Sequence, residues 1–139
     1  MTADEIITLL DLAPHPEGGW YRETWSEGGT PRPSGTCIYF LLTADQTSHW
    51  HRVDAAEIWH FHAGDPLALR IAADEAGPAE TRLLGPDLAR GERPQVVVPA
   101  HHWQSARTRG AWTLVGCTVS PGFRFEGFEL APRGFDIPG

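Results

Sequence analysis

The chain has 139 residues, of which 21% are charged and 41% hydrophobic, and its net charge is −7. This length is sufficient to bury a core, so we expect one folded domain over residues 1–139. The acidic balance argues against a nucleic acid or an anionic membrane surface as partner, because both need a basic face. No apolar run reaches the roughly 20 residues of a membrane span, and the N terminus lacks a basic signal-peptide segment, so we expect a cytoplasmic protein.

The first segment is the one clear helix in the sequence. Thr2 and Glu5 have the spacing of a capping box, and apolar residues follow at helical spacing as far as Leu12. Pro14 and Pro16 are expected to end this helix, which we place at residues 2–12.

The remainder consists of short apolar runs separated by Gly and Pro, a pattern typical of an all-β sandwich or barrel. One helical turn is predicted at 86–91. Cys37 and Cys117 lie in two of the apolar runs with no second cysteine nearby, which favours free buried thiols. Strands are predicted at residues 19–25, 36–43, 48–53, 57–63, 67–73, 81–84, 95–99, 102–108, 112–119 and 125–130.

The most informative stretch is the His-x-His pair His49 and His51, followed by Glu57. Side chains two residues apart on a strand project to the same face, so both imidazoles are expected on one side. If the chain folds back before Glu57, two imidazoles and a carboxylate converge, which is the ligand set of a 2-His-1-carboxylate metal site.

Alternation on the next strand places Glu57, Trp59 and Phe61 on one face, and His60 and His62 on the other. Large rings beside a carboxylate suit a pocket with apolar walls, and Trp59 and Phe61 are therefore candidate ligand-binding residues. The alternative is that these rings fill the core of a barrel. His60 and His62 are expected at the surface or at a subunit interface.

The order His-x-His, Glu and then Gly64 resembles the first motif of the cupin superfamily of small β-barrels. The gap of five residues between His51 and Glu57 is longer than the usual three or four. In the second motif His101 stands where the family has a turn glycine, and Gln104 stands at the histidine ligand position. The resemblance implies a cupin double-stranded β-helix, or jelly-roll barrel, with the barrel over about 19–131.

A closer resemblance is to cupin family 5, a domain of unknown function with an RmlC-like jelly roll. The segments that carry it span most of the chain and are 17–24, 38–42, 48–53, 57–67, 99–100 with 103–104, and 119–123. This resemblance implies architecture more than activity. It also implies a homodimer, because related barrels pair or exchange edge strands.

By this resemblance His49, His51, Glu57 and Gln104 are candidate ligands of one divalent metal, with Mn, Fe, Ni and Zn all open. A glutamine oxygen is a weaker donor than an imidazole, and His102 shares its strand face and is a possible substitute. The alternative is that His49 and His51 are polar pocket residues that hold no metal.

Several further residues are candidates for contact with a ligand. Arg22 and Glu23 lie on a strand flanked by aromatic residues, where an inward arginine would bind a carboxylate or phosphate. The alternative, a structural ion pair at the sheet edge, is the favoured interpretation of the two. His51 as base and Tyr39 as acid match the pairing used by metal-free epimerases of the superfamily. The predicted ligand-binding set is completed by His102 and Trp103.

Two classes of function stay open. The first is an enzyme, either an isomerase or epimerase of a sugar or hydroxy acid, or a metal-dependent oxygenase. The second is a module that binds a small polar organic molecule without chemistry. In both, the partner is a small molecule held in the barrel.

Overall fold

The computed structural model describes every residue from Met1 to Gly139. Its elements are α1 (Ala3–Leu10), β1 (Ala13–Pro14), β2 (Trp20–Ser26), β3 (Thr36–Thr43), β4 (Ser48–Val53), β5 (Ala56–Gly64), β6 (Leu67–Ala72), β7 (Glu80–Leu84), β8 (Gln95–Val98), β9 (Trp103–Thr108), β10 (Trp112–Ser120) and β11 (Phe128–Leu130). Two antiparallel sheets have the strand orders β1-β2-β3-β10-β5-β8 and β11-β4-β9-β6-β7. The predicted all-β jelly-roll barrel with a short N-terminal helix is confirmed. No helix is long and apolar enough to cross a membrane.

The N-terminal helix begins at the predicted capping box and ends earlier than expected. The Thr2 hydroxyl accepts from the Glu5 N–H at 3.2 Å, and the Glu5 carboxylate accepts from the Thr2 N–H at 3.0 Å. The helix stops where Asp11 adopts the left-handed conformation, with φ 54°. The expectation that prolines end it is therefore wrong, and Pro14 instead pairs with Trp20 between β1 and β2.

The predicted strands match the observed ones closely except at the C-terminal end. Residues 125–130 were expected to form one strand, but Phe125–Gly127 is a 3-10 turn and only Phe128–Leu130 pairs with β4. The helical turn expected at 86–91 is present as a 3-10 turn at Leu88–Arg90. Both cysteines are free, as predicted, but only Cys117 is buried, and Cys37 is half-buried.

The barrel interior changes from apolar to polar along its strands. On β5 the inward residues run from Glu57 to Trp59, and on β10 they run from Cys117 to Val115. Trp59 and Val115 belong to the main apolar core, Cys117 borders both this core and a cavity, and Glu57 lines the cavity. One part of the barrel is thus filled with hydrophobic side chains, and the adjoining part is left open and polar.

The C-terminal tail covers the outer face of the second sheet. Ile137 is fully buried there and packs with Trp50 and Trp103 in a separate apolar cluster. The Asp136 carboxylate accepts a hydrogen bond from the Trp50 indole N–H at 2.9 Å. The tail therefore covers the outer face of the sheet that carries β4 and holds this strand in place from outside the barrel.

Candidate functional site

Strand β4 carries an irregularity that decides which side chains enter the barrel. Its register against β9 shifts between Ser48 and His51. Ser48, which donates to the Glu17 carboxyl, and His51 both face inward, whereas His49 and Trp50 line a groove on the outer face. A bulge adds a residue to one strand and so breaks simple alternation. The prediction that His49 and His51 share a face is wrong for this reason.

The inward side chains surround a cavity of ≈ 270 Å³. A volume of this size suits a small organic ligand. The ionisable lining residues are three glutamates, two histidines, the thiol of Cys117 and the phenol of Tyr21, and Phe123 and Phe125 are further aromatic lining residues. The glutamates are Glu17, Glu23 and Glu57, and the histidines are His15 and His51.

His51 is held in one tautomer by its own strand. Its Nδ1 lies 2.7 Å from the carbonyl oxygen of His49, and because a carbonyl only accepts, Nδ1 carries the proton. In the neutral ring the lone pair is therefore on Nε2. This atom lies 3.5 Å from Oε1 of Glu17, and the imidazole is almost fully buried.

Glu17 is the second member of this polar group. Its carboxyl accepts a hydrogen bond from the Ser48 hydroxyl, and its Oε1 lies 3.4 Å from Nδ1 of His15. Gly18 and Gly19, with φ of 106° and 80°, place it there. A Cβ on Gly18 would lie 2.1 Å from the Thr47 carbonyl oxygen, so only glycine permits this approach to β4.

Glu57 is oriented by a chain of two hydrogen bonds. The Trp59 indole N–H donates to Oε1 of Gln104 at 2.8 Å, and the Gln104 amide N–H donates to Oε1 of Glu57 at 2.9 Å. The indole fixes which end of the amide faces the carboxyl, since it can only donate. Gln104 therefore positions a carboxylate and has its oxygen already engaged.

Burial dominates the protonation equilibria of the cavity. It raises the pKa of Glu17 to about 8 and that of Glu57 to about 7, because a carboxylate loses its hydration inside the barrel. Burial lowers the pKa of His51, and the opposing attraction of Glu57 is the smaller effect. The pKa of His15 falls to about 4, also through burial. At neutral pH the group therefore holds a protonated Glu17 beside neutral imidazoles.

The loop that borders the cavity is tied down by a charged network. Arg32 donates to both Asp54 oxygens, at 3.1 and 2.6 Å, and its Nε donates to the Gly122 carbonyl at 2.6 Å. These bonds hold the pKa of Asp54 below its usual range. Phe123, in the same loop, packs edge-on against Phe125.

Not all predicted ligand-binding residues reach the cavity. Glu23 lines it, whereas Arg22 is exposed and lies 3.8 Å from Asp11. Tyr39 lies on the outer face with α1 and stacks edge-on with His62, so the predicted pairing of His51 with Tyr39 is not formed. Tyr21 lines the cavity in place of Tyr39.

The other predicted aromatic residues have structural surroundings. Phe61 packs on the main core to which Trp59 belongs. Trp103 is buried under the C-terminal tail with the Arg52 guanidinium 4.7 Å from its ring centre. His102 is half-buried in the turn before β9 and does not line the cavity.

The predicted metal set is not assembled by these positions. His49 faces the outer groove, where its Nε2 donates to the Pro132 carbonyl at 3.1 Å, and the Gln104 oxygen is occupied by Trp59. Only His51 and Glu57 of the four reach the cavity. No group of three or more His, Cys, Asp or Glu side chains has a geometry that could hold a metal ion. The donors present therefore do not fit the cupin metal site.

Sequence reasoning missed Glu17, His15, Tyr21 and Cys117 as lining residues. The one signal near Glu17 was the pair Gly18 and Gly19, since adjacent glycines permit a tight backbone approach. Its partner Ser48 is 31 residues away along the chain, so only the folded barrel shows the contact.

Comparison with known proteins places the chain among relatives of the same architecture. A family model described as cupin superfamily (DUF985) matches residues 4–131. No curated protein matches the chain. A solved structure of a Shewanella oneidensis protein is 41% identical, with a TM-score of 0.89 over 94% of this chain and 85% of that one. A hypothetical protein from Leishmania major is 33% identical, with a TM-score of 0.88 over 97% and 90% of the two chains.

A more distant likeness extends to a characterised enzyme. Oxalate decarboxylase from Bacillus subtilis is 16% identical, with a TM-score of 0.66 over 87% of this chain and 30% of that one. Mn(II) centres are described for that enzyme. At this identity the likeness shows the shared fold alone.

Proposed function

The chain belongs to the cupin superfamily as a member of the DUF985 family, and we propose that its barrel cavity binds a small polar organic molecule. In this proposal His51 transfers a proton to and from the bound molecule. The reaction class is that of an isomerase or epimerase. One observation carries the proposal: the His49 carbonyl fixes the proton of His51 on Nδ1, which leaves Nε2 free beside the cavity carboxyl of Glu17.

The proton transfer uses an acid and a base from the same cluster. Nε2 of His51 takes a proton from a carbon next to a carbonyl, and the C–H electron pair forms the carbon–carbon double bond of an enol. The carbonyl oxygen takes a proton from the Glu17 carboxyl, whose raised pKa keeps it protonated at neutral pH. His51 then delivers its proton to the neighbouring carbon, while the hydroxyl on the α-carbon gives its proton to Glu17, so that the carbonyl moves by one carbon and both groups are restored. In an epimerisation the enol turns over in the cavity before His51 returns its proton to the α-carbon, and Glu17 recovers the proton it gave to the oxygen.

The environment suits this chemistry because it is buried and preorganised. The Ser48 hydroxyl and the Trp59–Gln104 chain hold the two carboxyls in place. A buried acid and a buried base act in a low dielectric, where their interactions with developing charge are stronger than in water. Since the cupin metal ligands are not brought together, no step is assigned to a metal.

The test is hydrogen–deuterium exchange at the α-carbon of hydroxyaldehydes and hydroxyketones of three to six carbons, and of their amino analogues, followed by proton NMR in D₂O. The wild-type protein is expected to catalyse exchange in at least one compound. His51→Gln is expected to lower the rate about 100-fold or more, the usual contribution of a general base. His49→Gln, two residues away on the outer face, is the matched control and should keep the rate within about twofold.

Dialysis against EDTA should leave the exchange rate unchanged. A rate that disappears after dialysis and returns with Mn²⁺ would contradict the metal-free proposal. If His49→Gln and His51→Gln lowered the exchange rate equally, the reaction would have to take place outside the cavity. Binding of the compounds without any exchange would support the alternative, a module that binds a small molecule and performs no chemistry.

A further inference from the structure

The charged residues are distributed unequally between the cavity and the outer surface. Every cationic side chain in the sequence other than histidine is arginine, since the chain contains no lysine. No arginine lines the cavity, whereas three glutamates do. The groove on the outer face, by contrast, is lined by Arg70 and Arg107.

The two histidines of the cavity do not offset this imbalance. His15 accepts a hydrogen bond at Nδ1 from the Glu17 N–H at 3.1 Å, which fixes a neutral ring with its proton on Nε2. The His51 ring donates at Nδ1 and keeps a free lone pair on Nε2. Neither imidazole presents a positive charge to a ligand in this arrangement.

Glu57 is the buried carboxyl of the cavity best prepared to carry a negative charge. It receives an N–H hydrogen bond from Gln104, whose orientation is set by Trp59. A donated hydrogen bond stabilises the ionised form of a carboxyl, and a nearby cation stabilises it further. A buried carboxylate without a cationic partner is unfavourable, and a ligand ammonium group seated beside it would supply that partner.

The aromatic lining residues are suited to the same kind of ligand. Tyr21, Phe123 and Phe125 line the cavity together with the glutamates. The face of an aromatic ring attracts an ammonium group within about 6 Å, and this attraction grows where water is excluded. A carboxylate or phosphate would find neither an arginine nor a lysine here.

We infer that the cavity selects ligands that carry an amine, seating the ammonium against the Glu57 carboxylate, and that it rejects organic anions. This inference rests on the proposed function only in taking the cavity as the ligand site. It narrows the substrate class to amino-substituted small molecules and argues against sugar phosphates and hydroxy acids.

The test compares three probes that share one ring and differ in charge: benzylamine, benzyl alcohol and benzoate. Their affinities for the full chain are measured by ligand-observed NMR at pH 7 in constant salt. Benzylamine is expected to bind about tenfold or more tightly than benzyl alcohol, and benzoate the most weakly. Glu57→Gln should reduce the preference for benzylamine over the alcohol to less than about threefold while leaving the alcohol affinity unchanged. Glu126→Gln, outside the cavity, is the matched control and should keep the full preference.

Benzoate binding as tightly as benzylamine would overturn the inference, as would a preference for the amine that survives in Glu57→Gln. The inference would also be overturned if none of the three probes bound at a 20-fold excess over protein at about 1 mM. This concentration is on the order of the dissociation constants of the weakest fragment ligands. If Glu57→Gln does not fold, the affinities of the wild-type chain for the three probes decide the inference alone. The charge preference and the exchange reaction fail separately: loss of preference with exchange intact rejects only this inference, and preference without exchange rejects only the proposed chemistry.

Discussion

Glu17 is the residue at which burial and charge conflict most strongly. Its pKa rises from 4.5 to about 8 because the folded barrel removes its hydration. Between these values the folded state holds a proton that the unfolded chain has released, so the free energy of unfolding falls as pH rises. The stabilising contribution of protonated Glu17 is fully present below about pH 4.5 and is lost as pH rises through about 8.

The direction of this pH dependence gives a prediction for Glu17→Gln, which removes the titrating group while keeping the size and shape of the side chain. The unfolding free energy of the variant minus that of the wild type should increase with pH from about 5 to 8, by up to about 1.4 kcal/mol per pH unit. Urea denaturation across this range measures the difference. Glu23 lies at an exposed position of the same cavity lining and provides the control. In Glu23→Gln the unfolding free energy should keep the pH dependence that Glu17 contributes. A flat difference for Glu17→Gln would contradict the burial of a protonated carboxyl.

At this scale the sequence predicts part of the site. His51, Glu57 and Glu23 were named from residue types and spacing, and all three line the cavity. Glu17 could not be paired with Ser48 from the sequence because the contact joins residues 31 apart. Tyr39 was assigned to the cavity in error because both faces of β3 are covered by apolar side chains, the outer one by α1, so alternation alone does not identify the inner face.

At the scale of elements, β4 shows how one irregular strand determines the site. Its bounds were predicted correctly at 48–53, yet the side-chain directions were not. A bulge depends on pairing with β9 rather than on local residue preference, so periodicity cannot reveal it. The strand bounds of β3 and β6 follow from apolar runs between turn residues, which is why these were predicted within a residue.

The C-terminal tail is the element that the sequence did not anticipate, since the predicted barrel ended near residue 131. Ile137→Ala should lower the unfolding free energy by about 3 kcal/mol, because a fully buried isoleucine leaves a cavity against Trp50 and Trp103. Val97→Ala is the matched control at a 56% exposed position and should change it by less than about 0.5 kcal/mol. Denaturation in urea provides the comparison. Equal effects in the two variants would show that the tail does not pack on the sheet.

The whole molecule separates an acidic interior from arginines that lie elsewhere. Glutamates line the cavity, and arginines lie in the outer groove and in ion pairs such as Arg32 with Asp54. This arrangement is possible because successive side chains of a strand point alternately into the barrel and out of it. Neighbouring residues therefore lie in different environments. The homodimer implied by the family resemblance stays a prediction.

The central claim is that His51 presents an unprotonated Nε2 to the barrel cavity at neutral pH. Long-range proton–nitrogen NMR of the uniformly labelled chain measures this directly, with the His51 ring assigned from the signals missing in His51→Gln. The account predicts one protonated nitrogen, Nδ1, and one unprotonated nitrogen, Nε2, at pH 7. Two protonated ring nitrogens, or a proton on Nε2 alone, would contradict it.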